Sequence, residues 1–232
     1  MAGTGRSTRL GRVRAKQQAV RDRILATAAD LFRERGFRAT TLDDIVKPLG
    51  MSKASLYTYF HAKEEILAAI SRQTIESFTR ELGLVRRSDL APEDKLRRIV
   101  REHVRFVIAN RSFLTVFFSE ETNLPPRFAR ALAAQKDLYD KGVEAVVEEG
   151  IRAGRFRDVP PRLVVFGLLG MVNWVYKWYS PRGRWGAEEI SSAFLGMIED
   201  GLLRRPARAP SVTRRIARVR RDLDDLARAL DA

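Results

Sequence analysis

The chain has 232 residues, 45% of them apolar, no cysteine, and a formal net charge of +14. That length accommodates a small head and a larger body around a real core, and the lack of cysteine excludes disulfides, zinc fingers and thiol catalysis together, which fits a reducing, cytoplasmic setting. The charge sits at the ends: residues 1–23 carry +6, residues 204–221 carry +8 and the 180 residues between carry only +3, so a polyanion is the natural partner, against the plainer reading that basic tails aid solubility or hold nucleic acid loosely.

Apolar residues recur at the helical period almost throughout, and no strand-like alternation of useful length appears, so the fold class expected is all-α. Residues 1–18 lack a strong apolar pattern and read as a basic flexible arm carrying Arg9, Arg12, Arg14 and Lys16. Ile24, Leu25, Ala28, Leu31 and Phe32 form a stripe that stops at Gly36. A short helix is predicted from about Leu42 to Leu49, closed by Gly50. A second runs from about Lys53 to Tyr59 with Ser52 as its N-cap. Longer helices follow from Lys63 towards Arg86, from Pro92 to about Asn110, from Pro125-Pro126 to near Gly154, from Pro160-Pro161 through Tyr179, and over about Ala187–Leu203. Pro206 and Pro210 bracket a linker before a final helix over about 211–229. The longest apolar stretch, Leu163 to Val175, is too short for a membrane span.

The most informative stretch is residues 40–60. Two short helices separated by a glycine-containing turn are the helix-turn-helix plan, whose second helix enters the DNA major groove. Leu42, Ile45, Val46 and Leu49 make the inner face of the first helix, and Met51, Leu56 and Phe60 that of the second. Residues 24–35 pack over both to close a three-helix head.

Ala28, Phe32, Gly36-Phe37, Thr40 to Ile45, Gly50 to Phe60 and Lys63-Glu64-Glu65 resemble the DNA-binding head of the TetR family of bacterial repressors. The likeness implies an N-terminal DNA-binding head over 19–62 and an antiparallel helical ligand-binding and dimerisation body over 63–205, flanked by the arm (1–18) and a linker with an amphipathic helix (206–232). It also implies a homodimer on a palindromic operator in double-stranded DNA, because one helix of about seven residues spans only ~10 Å and reads few base pairs. Thr40 and Thr41 are expected to offer hydroxyls and N–H groups to phosphate. Ser52, Lys53, Ala54 and Ser55 lead the recognition helix, with Lys53 positioned for guanine O6/N7 and Ala54 for a thymine methyl. Tyr57 and Tyr59 are phosphate or groove-wall contacts, or else half-buried packing, and Lys63 is a phosphate clamp. Two residues depart from the family pattern: Pro48 lies inside a helix, and Ala62 stands where the family often has a capping serine.

Gly154 to Arg157, Leu169 to Pro181 and Gly183-Arg184 resemble a narrower branch of the same family, the regulators of fatty-acid, sterol and aromatic-acid breakdown whose effectors are acyl-coenzyme A thioesters. On that resemblance Phe106, Phe113, Phe117, Phe118, Tyr139 and Trp174 line an acyl pocket, and Arg152 or Lys177 meets the phosphates. The glycine-bearing apolar helix, with Phe166 and Gly170, pairs with Ile190, Phe194 and Met197 of the next helix in a dimeric four-helix bundle. Ligand then favours a form whose heads are wrongly spaced for the operator. In the last helix, Val212, Ile216, Val219, Leu223, Leu226 and Leu230 form a seam suited either to antiparallel pairing of two copies or to docking on its own chain.

No Ser/His/Asp set, phosphate loop, dinucleotide fingerprint, metal cluster or cofactor site is visible, and His61 and His103 are far apart, so an enzyme is not expected. Two other readings stay open. One is a regulator of multidrug efflux with a promiscuous apolar pocket. The other is a sequence-nonspecific nucleic-acid or membrane-surface protein driven by its tails.

Overall fold

The structure is a computed structural model that describes residues 4–203 and Arg220. Among the described residues every regular element is helical: α1 (Thr4–Arg35), α2 (Leu42–Leu49), α3 (Lys53–Tyr57), α4 (Lys63–Arg86), α5 (Pro92–Ala109), α6 (Arg111–Ser119), α7 (Pro126–Arg152), α8 (Pro161–Trp178) and α9 (Ala187–Leu202), with a 3-10 turn at Glu121–Asn123. This is the all-α class expected. Of the helix expected over 211–229, all but Arg220 lies outside the described residues. Among the described residues no helix is long and apolar enough to cross a membrane.

Local chemistry sets the boundaries in the head. Gly36 ends α1 at φ 81° and Gly50 ends α2 at φ 63°, left-handed conformations that glycine adopts without steric cost. Thr41 caps α2 reciprocally: its hydroxyl accepts from the Asp44 N–H at 3.2 Å, and the Asp44 carboxylate accepts from the Thr41 N–H at 2.9 Å. Pro48 does not break α2, which continues to Leu49. Ser52 caps α3 by accepting from Ser55 N–H at 3.1 Å. α3 is shorter than the predicted span to Tyr59, because the Thr58 hydroxyl donates to the Ser55 carbonyl at 2.7 Å and closes the last turn. Ala62 supplies no side-chain cap to α4. Glu65 reaches back to accept the His61 N–H at 2.9 Å, which holds the chain just before the helix.

The N-terminal stretch departs from the flexible arm that the sequence reading expected, being helical from Thr4 in one piece with the packed half of α1. The run Arg14-Ala15-Lys16-Gln17-Gln18-Ala19 consists of good helix formers. Side chains 12–19 are exposed, so this segment propagates from the buried half and is not held by burial of its own.

In the head, Ile24, Leu25, Ala28 and Ile45 are fully buried with Leu56 and Phe60, which anchor α3 beneath. The long α4 packs on α1 as well as on α5, α6 and α7, so one rigid element belongs to both head and body. α5 is central in the body, packing on α7, α8 and α9 through Leu96, Ile99, Val100, His103, Val104 and Val107. The turn after α7 depends on Gly150, where a Cβ would collide with the Phe156 ring.

α8 and α9 leave an apolar face uncovered: Leu163, Phe166, Trp174, Trp178 and Met197 are exposed, and Gly167, Gly170 and Gly196 have open space where a Cβ would sit. Ile190, expected at a dimer interface, is buried within its own chain. Phe194 is half-buried against the same core. Both lie on the side of α9 that turns towards α5, since residues 190, 194, 195 and 198 follow one helical stripe.

Candidate nucleic-acid interface and ligand cavity

The surface of α3 is built outward from its two anchors. Leu56 is fully buried and Phe60 nearly so, which turns Ser52, Lys53, Ala54, Ser55, Tyr57 and Thr58 towards solvent. Lys53 Nζ pairs with the Asp43 carboxylate of α2 at 2.7 Å. That hydrogen bond raises the lysine's pKa, so its charge is secure at neutral pH. Tyr59 is half-buried and shares a groove with Thr58 and, from α1, Arg14, Gln17, Gln18 and Arg21. Arg21 lies 4.9 Å above the Phe60 ring. A short exposed ridge, a basic flank from α1 and exposed hydroxyl and phenol groups together suit phosphates and base edges.

Two expected phosphate contacts are corrected. Thr40 is fully buried, and its hydroxyl donates to the Gly36 carbonyl at 2.9 Å, which closes the α1–α2 loop. Lys63 points inward: its ammonium donates to the carbonyls of Phe37 (2.7 Å), Arg38 (3.2 Å) and Thr40 (2.6 Å) and sits over the Phe37 ring. All three donors of an ammonium are thereby occupied. These carbonyls of the α1–α2 loop have no helical partners, and the cation satisfies them. Thr41 remains exposed at the N-terminus of α2, its hydroxyl shared with Asp44.

In the body, a cavity of about 240 Å³ lies between α4, α5, α6, α7 and α8. Its apolar wall comes from Ile75, Phe78, Phe117, Phe118, Phe166 and Leu169, and its polar side from His103, Lys136, Tyr139, Asp140 and Asn173. A smaller void of about 30 Å³ shares Phe78, His103 and Tyr139 with it and reaches Phe106. Thus Phe117, Phe118 and Tyr139 line the cavity as expected, and Phe106 lines its neighbour. Four expected residues do not. Trp174 is exposed on α8, one residue past the inward-facing Asn173. Phe113 packs against the core without lining a cavity. Arg152 is exposed and paired with Glu148, about 20 Å along α7 from Tyr139 at 1.5 Å per residue. Lys177 is exposed one turn beyond Asn173.

His103, Asn173, Phe78, Lys136 and Phe166 were not assigned to this site by sequence reasoning. The signal for His103 was present: it interrupts the buried stripe of α5 at the position where another apolar residue is due. Its ring lies 4.2 Å from that of Phe78 at a tilt, its Nδ1 lies 3.0 Å from the Tyr139 hydroxyl, and its Nε2 lies 2.8 Å from Asn173 Oδ1. Burial pushes its pKa down to about 4, so it is neutral at pH 7. Lys136 donates to Glu121 at 2.5 Å and lies 4.7 Å over Phe117.

The cavity and the head meet at the 3-10 turn. Glu121 holds Lys136 of the cavity wall. Glu120 accepts the Phe37 N–H at 3.4 Å, and Asn123 accepts from Arg38 Nε at 3.2 Å. The Ser112 hydroxyl of α6 donates to Asp30 of α1 at 2.6 Å.

Comparison with known proteins agrees with this layout. Residues 24–70 match the model of the bacterial regulatory proteins of the tetR family, and residues 89–202 match that of the tetracyclin repressor-like C-terminal domain. The HTH-type transcriptional repressor KstR2 of Rhodococcus jostii is 28% identical over 185 residues, covering 78% of this chain and 90% of that protein. The TetR-family transcriptional regulator PfmR of Thermus thermophilus superposes with a TM-score of 0.73 at 32% identity, covering 77% of this chain and 97% of that one. AibR, in a structure with isovaleryl coenzyme A and operator DNA, superposes with a TM-score of 0.70 at 30% identity over 76% of this chain and 96% of that one. Head, body and comparisons converge: the chain belongs to the TetR family of transcriptional regulators and is not an enzyme.

Proposed function

We propose that the protein is a homodimeric repressor that binds a palindromic operator in the cytoplasm and is released by a small apolar effector, an acyl-coenzyme A thioester. The observation that carries the DNA half of this reading is the outward ridge of α3 on its buried Leu56 and Phe60 anchors. Thr41, Ser52, Lys53, Ala54, Ser55, Tyr57 and Tyr59 form the contact surface. Lys53 exchanges Asp43 for a base or phosphate, and Arg14 and Arg21 track the flanking backbone.

The uncovered face of α8 and α9 supplies the dimer contact through Phe166, Gly170 and Met197, with Leu163, Trp174 and Trp178 around them. Large exposed apolar residues on one face mark an association surface, and the open glycines let a second backbone approach closely. The effector half rests on the apolar cavity and on the likeness to AibR, whose structure holds isovaleryl coenzyme A. A ligand pressing on Phe117 and Lys136 acts on the 3-10 turn, which holds the loop that Lys63 ties to the start of α2. Binding thereby biases the setting of the head.

Footprinting on DNA upstream of the genes flanking its own tests the first half, with protection of one palindrome expected. Anisotropy titration with acyl-coenzyme A thioesters of graded chain length tests the second. Operator affinity is expected to fall by about 5–150-fold, the range of a ~1–3 kcal/mol coupling. Uniform, sequence-independent binding defeats the operator reading, and an unchanged operator affinity across every chain length defeats the effector reading.

A further inference from the structure

We infer that the body cavity recognises its effector by a neutral acyl carbonyl, hydrogen-bonded by the side-chain amide of Asn173, whose orientation is set by the buried pair His103 and Tyr139. This rests on the effector reading above and specifies which part of the ligand the protein reads.

The inference follows from the direction of one hydrogen-bond chain that crosses three helices. Asn173 Oδ1 can only accept, so the 2.8 Å contact requires the proton on His103 Nε2. A neutral imidazole then has a lone pair on Nδ1, and the 3.0 Å contact is a donation from the Tyr139 hydroxyl. The chain runs Tyr139 to His103 to Asn173. It ends on the Asn173 amide nitrogen, which has no partner among the described residues although Asn173 lines the cavity. The Phe78 ring packs against the imidazole, with centroids 4.2 Å apart and planes 31° from parallel. The cavity therefore presents fixed N–H donors against an apolar wall, and the complementary group is an acceptor attached to an apolar tail.

The charges around the cavity say that this acceptor is uncharged. Lys136 is taken by Glu121, and Asp140, on the same wall, lies 3.8 Å from Arg162. Among the described residues lining the cavity no uncompensated cation is left for a carboxylate, and burying a charge without a partner is strongly unfavourable. At about 30 Å³ per water-sized group, a 240 Å³ cavity holds roughly eight non-hydrogen atoms. A medium acyl chain with its carbonyl fits; the remainder of a larger ligand lies outside.

The test is calorimetric titration of the full chain with octanoyl-coenzyme A, with S-octyl-coenzyme A (a methylene in place of the carbonyl) and with octanoate. The wild type is expected to bind the thioester at least tenfold more tightly than either of the others, the scale of a buried donor left unpaired. Asn173→Leu removes the preference for the carbonyl. Tyr139→Phe leaves Asn173 in place but frees the imidazole to turn, and halfway loss of the preference is expected. Asn173→Asp keeps the shape, supplies no N–H donor and is likewise expected to lose the discrimination, and circular dichroism of both Asn173 variants guards against a folding artefact. Equal binding of thioester and thioether by the wild type, tighter binding of octanoate, or an undiminished preference in both Asn173 variants overturns the carbonyl inference while leaving an acyl effector intact. Absence of binding by all three compounds overturns both.

Discussion

Lys63→Met separates two physical roles for one residue. As a phosphate clamp, Lys63 would add a counterion-releasing contact. Its loss would reduce the salt slope of operator binding by about 0.9 and leave stability unchanged. The geometry argues for a staple: the ammonium donates at 2.6, 2.7 and 3.2 Å to three carbonyls of the α1–α2 connection. A hydrogen bond from a charged donor contributes about 1.5–3 kcal/mol. Methionine keeps the aliphatic packing, and the freed carbonyls of Arg38 and Phe37 regain some water at this half-exposed site, so we expect a net loss of about 2–3 kcal/mol. For a protein of this length that is roughly 4–12 °C in Tm, at ~2–4 °C per kcal/mol. Thermal unfolding followed by circular dichroism reads the first quantity, and anisotropy at several salt concentrations reads the second. Unaltered Tm with a salt slope shallower by about one would refute the staple and restore the clamp.

Three further outcomes follow from other parts of the molecule. His103 is neutral in the folded protein with its pKa near 4, whereas an unfolded histidine titrates near its ordinary 6.5. The unfolded state therefore takes up the proton first on acidification. Its contribution is fully present above about pH 6.5 and is lost between there and pH 4, about 3 kcal/mol in all; His103→Gln should remove that part of the pH dependence when Tm is compared from pH 8 to 4. At Gly150, alanine forces a methyl into the Phe156 ring. A loss of about 1–3 kcal/mol is expected in urea unfolding, and an unchanged midpoint would show that the turn relaxes freely. Gly170→Arg places a charged side chain on the uncovered α8 face, where no neighbour of its own chain is met. Light scattering should then report a monomer with wild-type helicity, and a persistent dimer would move the interface elsewhere.

Much of the head was legible because its determinants are local. Thr41, Ser52, Gly36 and Gly50 act on backbone groups within a few residues, and the buried pattern of Leu56 and Phe60 follows from helical spacing alone. The roles of Thr40 and Lys63 are not legible in the same way. Each sits beside a helix start, where phosphate binding is a sound prior; Lys63 instead meets loop carbonyls 23 to 26 residues away, which only chain crossing brings near, and Thr40, whose partner Gly36 is only four residues away, is turned inward by the path of the α1–α2 loop. The same holds for the arm: weak apolar periodicity says nothing against a helix that propagates from a packed neighbour.

In the body, the amino-acid order determined which residues are apolar and at what period, and hence that helices would bury stripes. It could not determine which stripe faces which. His103, Tyr139 and Asn173 are 36 and 34 residues apart on three helices, and a one-residue turn of about 100° decides that Asn173 looks into the cavity while Trp174 looks out. Local sequence carries the propensity and the caps, and it is the crossing and rotation of packed helices that gathers distant polar groups into one chain of hydrogen bonds.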